Sequence, residues 1–344
     1  MSSPVDPRIE TYPVVPSGFD LVGAAKDRLD YYGIPERPDP ASSPEMFDFW
    51  KTLVSAPFTA RQPTFRSTLP QMQVRSQFRK QSRDVGPGPS GGGIHESSLN
   101  WSGALVSPPF PKRLVTVVGG WTVPRVSAPS SQPLFTGSNA ARSLVWIGLD
   151  GYNGRLPKIS LPQIGTAQCM DSPEYFAWWD WWRNWPPGTT PPESIERIEN
   201  FDISPGDEIL AGMAVLITED VLFFIKNQSS GEFRSFLARR HPLLDIEPLG
   251  SSAEWIVERP TEPTNRKFHP LPNYGSVEFK YCYALAADHA NGTSRLVTLA
   301  QNNAIIRMRE AFADPYRTHY VSRAKLRRDP DGSIGVTCTF NDSV

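Results

Sequence analysis

The segment Ser252-Ala-Glu-Trp-Ile-Val-Glu-Arg-Pro260 holds the residues best suited to chemistry. Read as a strand, its side chains alternate between two faces. Ala253, Trp255 and Val257 then form an apolar core face, and Glu254, Ile256 and Glu258 form the other. Two carboxyl groups on one face of an apolar strand need water, a partner or a reaction to serve. A solvated outer face and a reactive cleft are both open from this segment alone. A second constellation is Phe176-Ala-Trp-Trp-Asp-Trp-Trp-Arg-Asn-Trp185. Five tryptophans so close together do not fit on one buried strand face. They suit an aromatic groove that takes an extended peptide or a sugar, or a tryptophan-rich core strand between two sheets.

Other chemistries find no support. There is no H-E-x-x-H, no phosphate-binding loop and no dinucleotide fingerprint, and the five histidines lack metal-ligand spacing. No metal or cofactor is therefore expected. Gly88-Pro-Ser-Gly-Gly92 matches a nucleophile-elbow pattern but lies in a Gly/Pro stretch, with no strand before it and no helix after it. Cys169, Cys282 and Cys338 form no C-x-x-C pair and read as small core residues. The net charge of −1 on 344 residues gives no general attraction for nucleic acid or an anionic membrane. No apolar run approaches the roughly 20 residues that span a bilayer. The amino terminus lacks the layout of a signal peptide, so the chain reads as unexported, with its compartment and oligomeric state left open.

The elements that must hold these residues are mostly strands. Thirty-five prolines disfavour long helices. Short β-branched or aromatic runs at 114–118, 144–149, 209–217, 221–225, 253–258, 276–283 and 333–340 are bounded by turn residues, and 296–310 fits strand or helix. Together they predict an all-β sandwich of two antiparallel sheets. Residues 1–85 differ: a mainly helical and irregular extension, possibly a pro-segment. Its first helical pattern spans 21–32, with Asp20 as N-cap and Gly33 as stop. Its second has Ser43 as N-cap and Pro44 in the first turn, with Met46, Phe49, Trp50 and Leu53 on one stripe for docking. A basic run (Arg61, Arg66, Arg75, Arg79, Lys80, Arg83) precedes a Gly/Pro/Ser linker at 86–97, and the sandwich domain is expected at 98–344.

Eight motifs in order then carry a resemblance. They are Asn100-Trp-Ser-Gly-Ala104, Trp121-Thr-Val-Pro124, Val145-Trp-Ile-Gly-Leu-Asp-Gly151, Pro162-Gln-Ile-Gly165, Ala177-Trp-Trp-Asp-Trp-Trp182, Ile203-Ser-Pro-Gly-Asp207, Ala253-Glu-Trp-Ile-Val-Glu258 and Tyr274-Gly-Ser-Val-Glu-Phe279. From about residue 98 onward the chain resembles the glutamic peptidases, or eqolisins. The resemblance implies a concanavalin A-like sandwich and an endopeptidase acting on polypeptides at acid pH, in a family that is largely secreted. It implies Gln163 and Glu258 as the catalytic pair. Trp146, Asp150, Trp178, Asp180, Trp182 and Glu254 are expected to line the substrate cleft. In the implied mechanism a water held by the pair attacks the scissile carbonyl. Glu258 takes its proton, and the Gln163 amide donates to the oxyanion. The chain departs from the family pattern at Ala167, where an aspartate is usual, and at Pro162, which can bend or edge its strand.

Two further expectations concern regulation and class. A basic arm over an acidic cleft, released when carboxylates protonate, would make the extension a latch; a permanent extension docked by the 46/49/50/53 stripe is the alternative. The competing functions are a non-catalytic module binding peptide or glycan, and a glycoside hydrolase using Glu254 and Glu258, in which Gln163 has no role.

Overall fold

A computed structural model describes residues 9–68, 94–129, 141–152, 160–170, 174–183, 195–240, 247–261, 268–287, 294–301, 303–310 and 319–341. Two antiparallel sheets pack face to face. In spatial order the site sheet runs Phe65–Ser67, Glu196–Ile198, Glu174–Arg183, Ser160–Cys169, Arg142–Leu149, Ala253–Glu258, Trp101–Val106, Asn303–Arg309 and Ile94–Ser98. Tyr320–Arg328 and Ile334–Phe340 continue it. The back sheet runs Ile9–Thr11, Glu232–Ala238, Val221–Asn227, Glu208–Val215, Arg113–Thr122, Ser276–Ala287 and Ser294–Thr298. Ser276–Ala287 serves both sheets. Its first residues pair with Ile334–Phe340 and the rest with Arg113–Thr122, and the change falls at a register shift beside Tyr281, whose φ is 53°.

The core between the sheets follows from alternation. Ala253, Trp255 and Val257 turn inward with Val145, Ile147, Ile164, Trp179, Trp181, Phe223 and Phe236. The apolar face expected for the 253–258 segment is the one observed. The segment at 296–310 is two strands, Ser294–Thr298 and Asn303–Arg309, joined by a short turn. The run expected to 217 stops at Val215, because Leu216–Asp220 makes the hairpin turn.

The extension forms a third layer. The helix Pro44–Val54 has Ser43 at its N-cap, as expected, and buries Met46, Phe49, Trp50 and Leu53. These pack on the outer face of the back sheet with Val118, Leu210, Phe224, Phe233 and Tyr283. The first helix is shorter than its pattern, Lys26–Tyr31, because Asp20 caps a separate turn by accepting from Gly23 N–H at 3.0 Å. Gly33, at φ 64°, ends it as expected. The extension also supplies edge strands: Thr59–Ala60 beside the back sheet, and Phe65–Ser67 beside the site sheet. Residues 94–97, assigned to a linker, belong instead to the strand Ile94–Ser98, which runs parallel to Asn303–Arg309. The rest of the linker, the Gly88–Gly92 pattern, Arg75, Arg79, Lys80, Arg83 and Trp185 lie outside the described residues. Cys169, Cys282 and Cys338 are buried, Cys282 and Cys338 inside the core between the sheets.

Candidate active site

The outer face of the site sheet carries the residues assigned to the cleft except Asp150, which lies just past the strand Arg142–Leu149 and is taken up by the 249–251 loop. Alternation puts Gln163, Trp146, Trp178, Asp180, Trp182, Glu254 and Glu258 on this face, among Trp101, Leu105, Leu144, Leu161, Ala167, Phe176 and Ile256. Trp179 and Trp181 point the other way, into the core. The tryptophan strand therefore divides its described indoles between the two faces, with Trp179 and Trp181 in the core.

Two glycines explain how the face holds an indole flat. A side chain at Gly148 would meet Trp146 Cζ3 at 2.9 Å, and one at Gly165 would meet Trp146 Cβ at 2.6 Å. The W-x-G and Q-x-G spacings thus leave space for Trp146 to lie along the sheet. Its Nε1–H donates to Glu258 Oε2 at 2.9 Å, while its six-membered ring reaches over Gly148. Trp101 stands edge-on to it, with ring centroids 4.9 Å apart.

Glu258 is fully buried. Asn100 Nδ2 donates to its Oε1 at 2.8 Å. Burial pushes its pKa from 4.5 up to about 8, against the pull of donors on Trp101, Trp146 and Asn100, with a small upward push from Asp180. The row through Glu258 continues into Leu144 and Ala167. The aspartate missing at 167 therefore leaves an apolar neighbour where the family pattern has a charge.

Gln163 is likewise fully buried. Its Nε2–H donates to Asp180 Oδ2 at 3.4 Å, and its Oε1 has no partner among the described residues. Pro162 does not place this strand at an edge. Pairing with Arg142–Leu149 begins at Gln163, so the missing N–H of Pro162 falls just beyond the end of that ladder, and Trp181 faces it on the other side.

Register fixes the distances between these groups. Gln163, Gly148 and Glu254 lie in one row, with the rim of Trp146 between the two side chains. Glu258 is two strands away from Gln163 and four residues further along. At about 4.8 Å per strand and 3.3 Å per residue, their Cα atoms are roughly 16 Å apart. A direct hydrogen bond between the two groups is excluded at that separation, and the Gln163 amide turns to Asp180 on the neighbouring strand away from Glu258.

The remaining residues differ in how they are occupied. Glu254 is fully buried, and burial drives its pKa well up against a weak pull from the Ser252 hydroxyl beside it. Asp150, also buried, accepts from Leu249 N, Gly250 N, Ser251 N and Ser251 Oγ. It is committed to holding the 249–251 loop. Trp178 is buried, and Trp182 and Asp180 are partly exposed. Asn100 and Trp101, the nearest partners of Glu258 apart from Trp146, went unassigned in the sequence. Their signal was there: Asn100-Trp101 opens the first of the conserved-order motifs. Among the described residues no cluster of His, Cys, Asp and Glu has the arrangement to hold a metal.

The β-sandwich thus presents a carboxyl, an amide and a tryptophan plate on one outer face. Residues 99–313 match the sequence pattern of the Peptidase A4 family. The chain belongs to that family, the glutamic peptidases, and is an endopeptidase. Among solved structures it is similar to scytalido-glutamic peptidase with a transition state analog inhibitor, at 20% identity and TM-score 0.51, covering 70% of this chain and 98% of that one. It is also similar to SCP-B, an eqolisin in complex with the tripeptide Ala-Ile-His, at 19% identity and TM-score 0.49, covering 70% and 98%. Aspergilloglutamic peptidase from Aspergillus niger matches at 18% identity and TM-score 0.42, covering 58% and 99%. No curated protein sequence matches the chain.

Proposed function

We propose that the chain hydrolyses peptide bonds with a water held between Gln163 and Glu258, and does so in the acid range. The observation that supports this reading is their placement on one face of the site sheet, where Asp180 holds the Gln163 amide and Asn100 and Trp146 hold the Glu258 carboxyl. Glu258, as carboxylate, takes the proton of the attacking water and passes it to the leaving amine. Asp180 fixes one N–H of the Gln163 amide, which leaves the other N–H for the oxyanion and the unpartnered Oε1 for the water. Trp178 and Trp182 flank the substrate, and Glu254 and Trp146 line its floor.

Acid operation requires Glu258 to ionise below the value of about 8 that burial gives it. A water seated against the carboxyl restores the hydration that burial removed, so the donors on Trp101, Trp146 and Asn100 then decide its ionisation and lower its pKa. The test is digestion of a denatured protein from pH 2 to 8 by wild type, Gln163→Ala and Glu258→Ala. Loss of cleavage in both variants is expected, by about a thousandfold or more. Cleavage unaffected by either substitution rejects the assignment. No cleavage by folded wild type at any pH favours a peptide- or glycan-binding module.

A further inference from the structure

Arg259 follows Glu258 and points to the opposite side of the strand. Its guanidinium is almost completely buried. Nε donates to Leu99 O at 2.8 Å, Nη1 to Glu310 Oε1 at 2.8 Å, and Nη2 to Arg309 O at 3.2 Å. Its backbone N–H donates to Asn100 O at 3.0 Å. The side chain therefore ties the turn between Ile94–Ser98 and Trp101–Val106 to the end of Asn303–Arg309. That same turn presents Asn100, held from within by Ser98 Oγ, which receives Asn100 N–H at 3.2 Å and donates to Asn100 Oδ1 at 3.1 Å. Asn100 then reaches Glu258 on the far side.

We propose that the Arg259–Glu310 pair is a positioning device for the catalytic carboxyl, fixing the 98–101 turn so that the Asn100 amide meets Glu258. The inference rests on the reading of Glu258 as the base. A buried fork bonded to Leu99, Arg309 and Glu310 holds the turn rigidly, and a donor aimed at a carboxylate is effective only when so positioned. Lysine keeps the charge of Arg259 but not the fork, so the turn loosens and Asn100 is lost to Glu258 for part of the time. Glutamine at 310 keeps the shape and removes the charge that anchors the fork. The charged groups facing Glu258 from neighbouring elements are Asp180, Arg142 on the face of Leu144, Glu96 on the face of Ile306, and Glu254 on its own strand. None of them is altered in these variants.

The experiment measures kcat/KM against pH on a peptide substrate for wild type, Arg259→Lys, Glu310→Gln, Asn100→Ala and the double variant Asn100→Ala/Arg259→Lys, each shown to be folded by near-UV circular dichroism. Arg259→Lys and Asn100→Ala are expected to move the acid limb upward by about one unit, a loss of about tenfold on that limb, with the plateau within about threefold of wild type. Glu310→Gln moves it in the same direction. The double variant is expected to move no further than Asn100→Ala alone, since both act through one hydrogen bond. An acid limb at its wild-type position in folded Arg259→Lys, or in Glu310→Gln where Arg259→Lys does not fold, overturns the proposal, as does full additivity in the double variant. Glu258→Gln is measured alongside them; activity retained in it defeats the underlying assignment instead, so the two failures are told apart.

Discussion

The two sheets of the sandwich each have an outer face, and the molecule covers them with opposite materials. On the back sheet, Met46, Phe49, Trp50 and Leu53 of the extension seal Val118, Leu210, Phe224 and Phe233 under an apolar layer. A buried charge under this layer, Lys226, is satisfied, its Nζ donating to Ser55 O at 2.6 Å. On the site sheet, Gln163, Glu254 and Glu258 are equally buried, yet among the described residues Gln163 Oε1 has no partner and the Glu254 carboxyl has only the Ser252 hydroxyl beside it. One face is buried for stability and the other at a cost to it. Unsatisfied polar groups held rigidly are what a reaction site requires and what a core avoids.

That contrast breaks most visibly by truncation on the back sheet. Leu53→Ala is expected to lose about 3–5 kcal/mol of stability by leaving a cavity in the helical layer. The specific activity of the folded fraction should stay within about twofold, since no Leu53 contact reaches the site sheet. Urea unfolding and active-site titration check both halves.

A change on the site sheet should have the opposite sign. The folded pKa of Glu258 is raised above 4.5 to about 8, and those of Glu254 and Asp150 are raised as well. These groups favour folding below their unfolded pKa values, and the contribution is lost as pH climbs through the folded values. Thermal stability should therefore fall between about pH 4.5 and pH 8. Glu258→Gln should flatten part of that fall and raise Tm at pH 8 by several degrees while abolishing cleavage. A scan of Tm against pH for both proteins decides this; a mutant less stable than wild type at pH 8 contradicts it.

The smallest expected effect sharpens the role of the indole plate. Trp146→Phe keeps a ring beside Gly148 but removes the N–H at 2.9 Å from Glu258. About a fivefold to tenfold loss of rate and a rise of less than a unit in the acid limb are expected, within the range for one hydrogen bond to a charged group. An unchanged limb would assign Trp146 to packing alone.

Much of this was legible in the sequence, for reasons particular residues make plain. The alternation in Ala253–Glu258 separated core from site face unaided, because a strand buried on one side obeys a strict period of two. The helical stripe at 46, 49, 50 and 53 likewise announced a docked face. What pattern could not show was set by partners distant in the chain. Asn100 meets Glu258 across 158 positions, and Asp150 is taken up by a loop about a hundred residues away. The linker was misjudged at 94–97 because a short edge strand takes its identity from the neighbour it pairs with, here Ala304–Met308.

The central claim is that Glu258 becomes a working base only when a water joins it beneath the substrate. The pH dependence of kcat on a peptide substrate tests this most directly, since it reports ionisation in the substrate complex. The account predicts turnover sustained below pH 6, with an acid limb well under the buried carboxyl's value of about 8. Turnover that appears only as pH rises through 8 would show the carboxyl unhydrated and would contradict it.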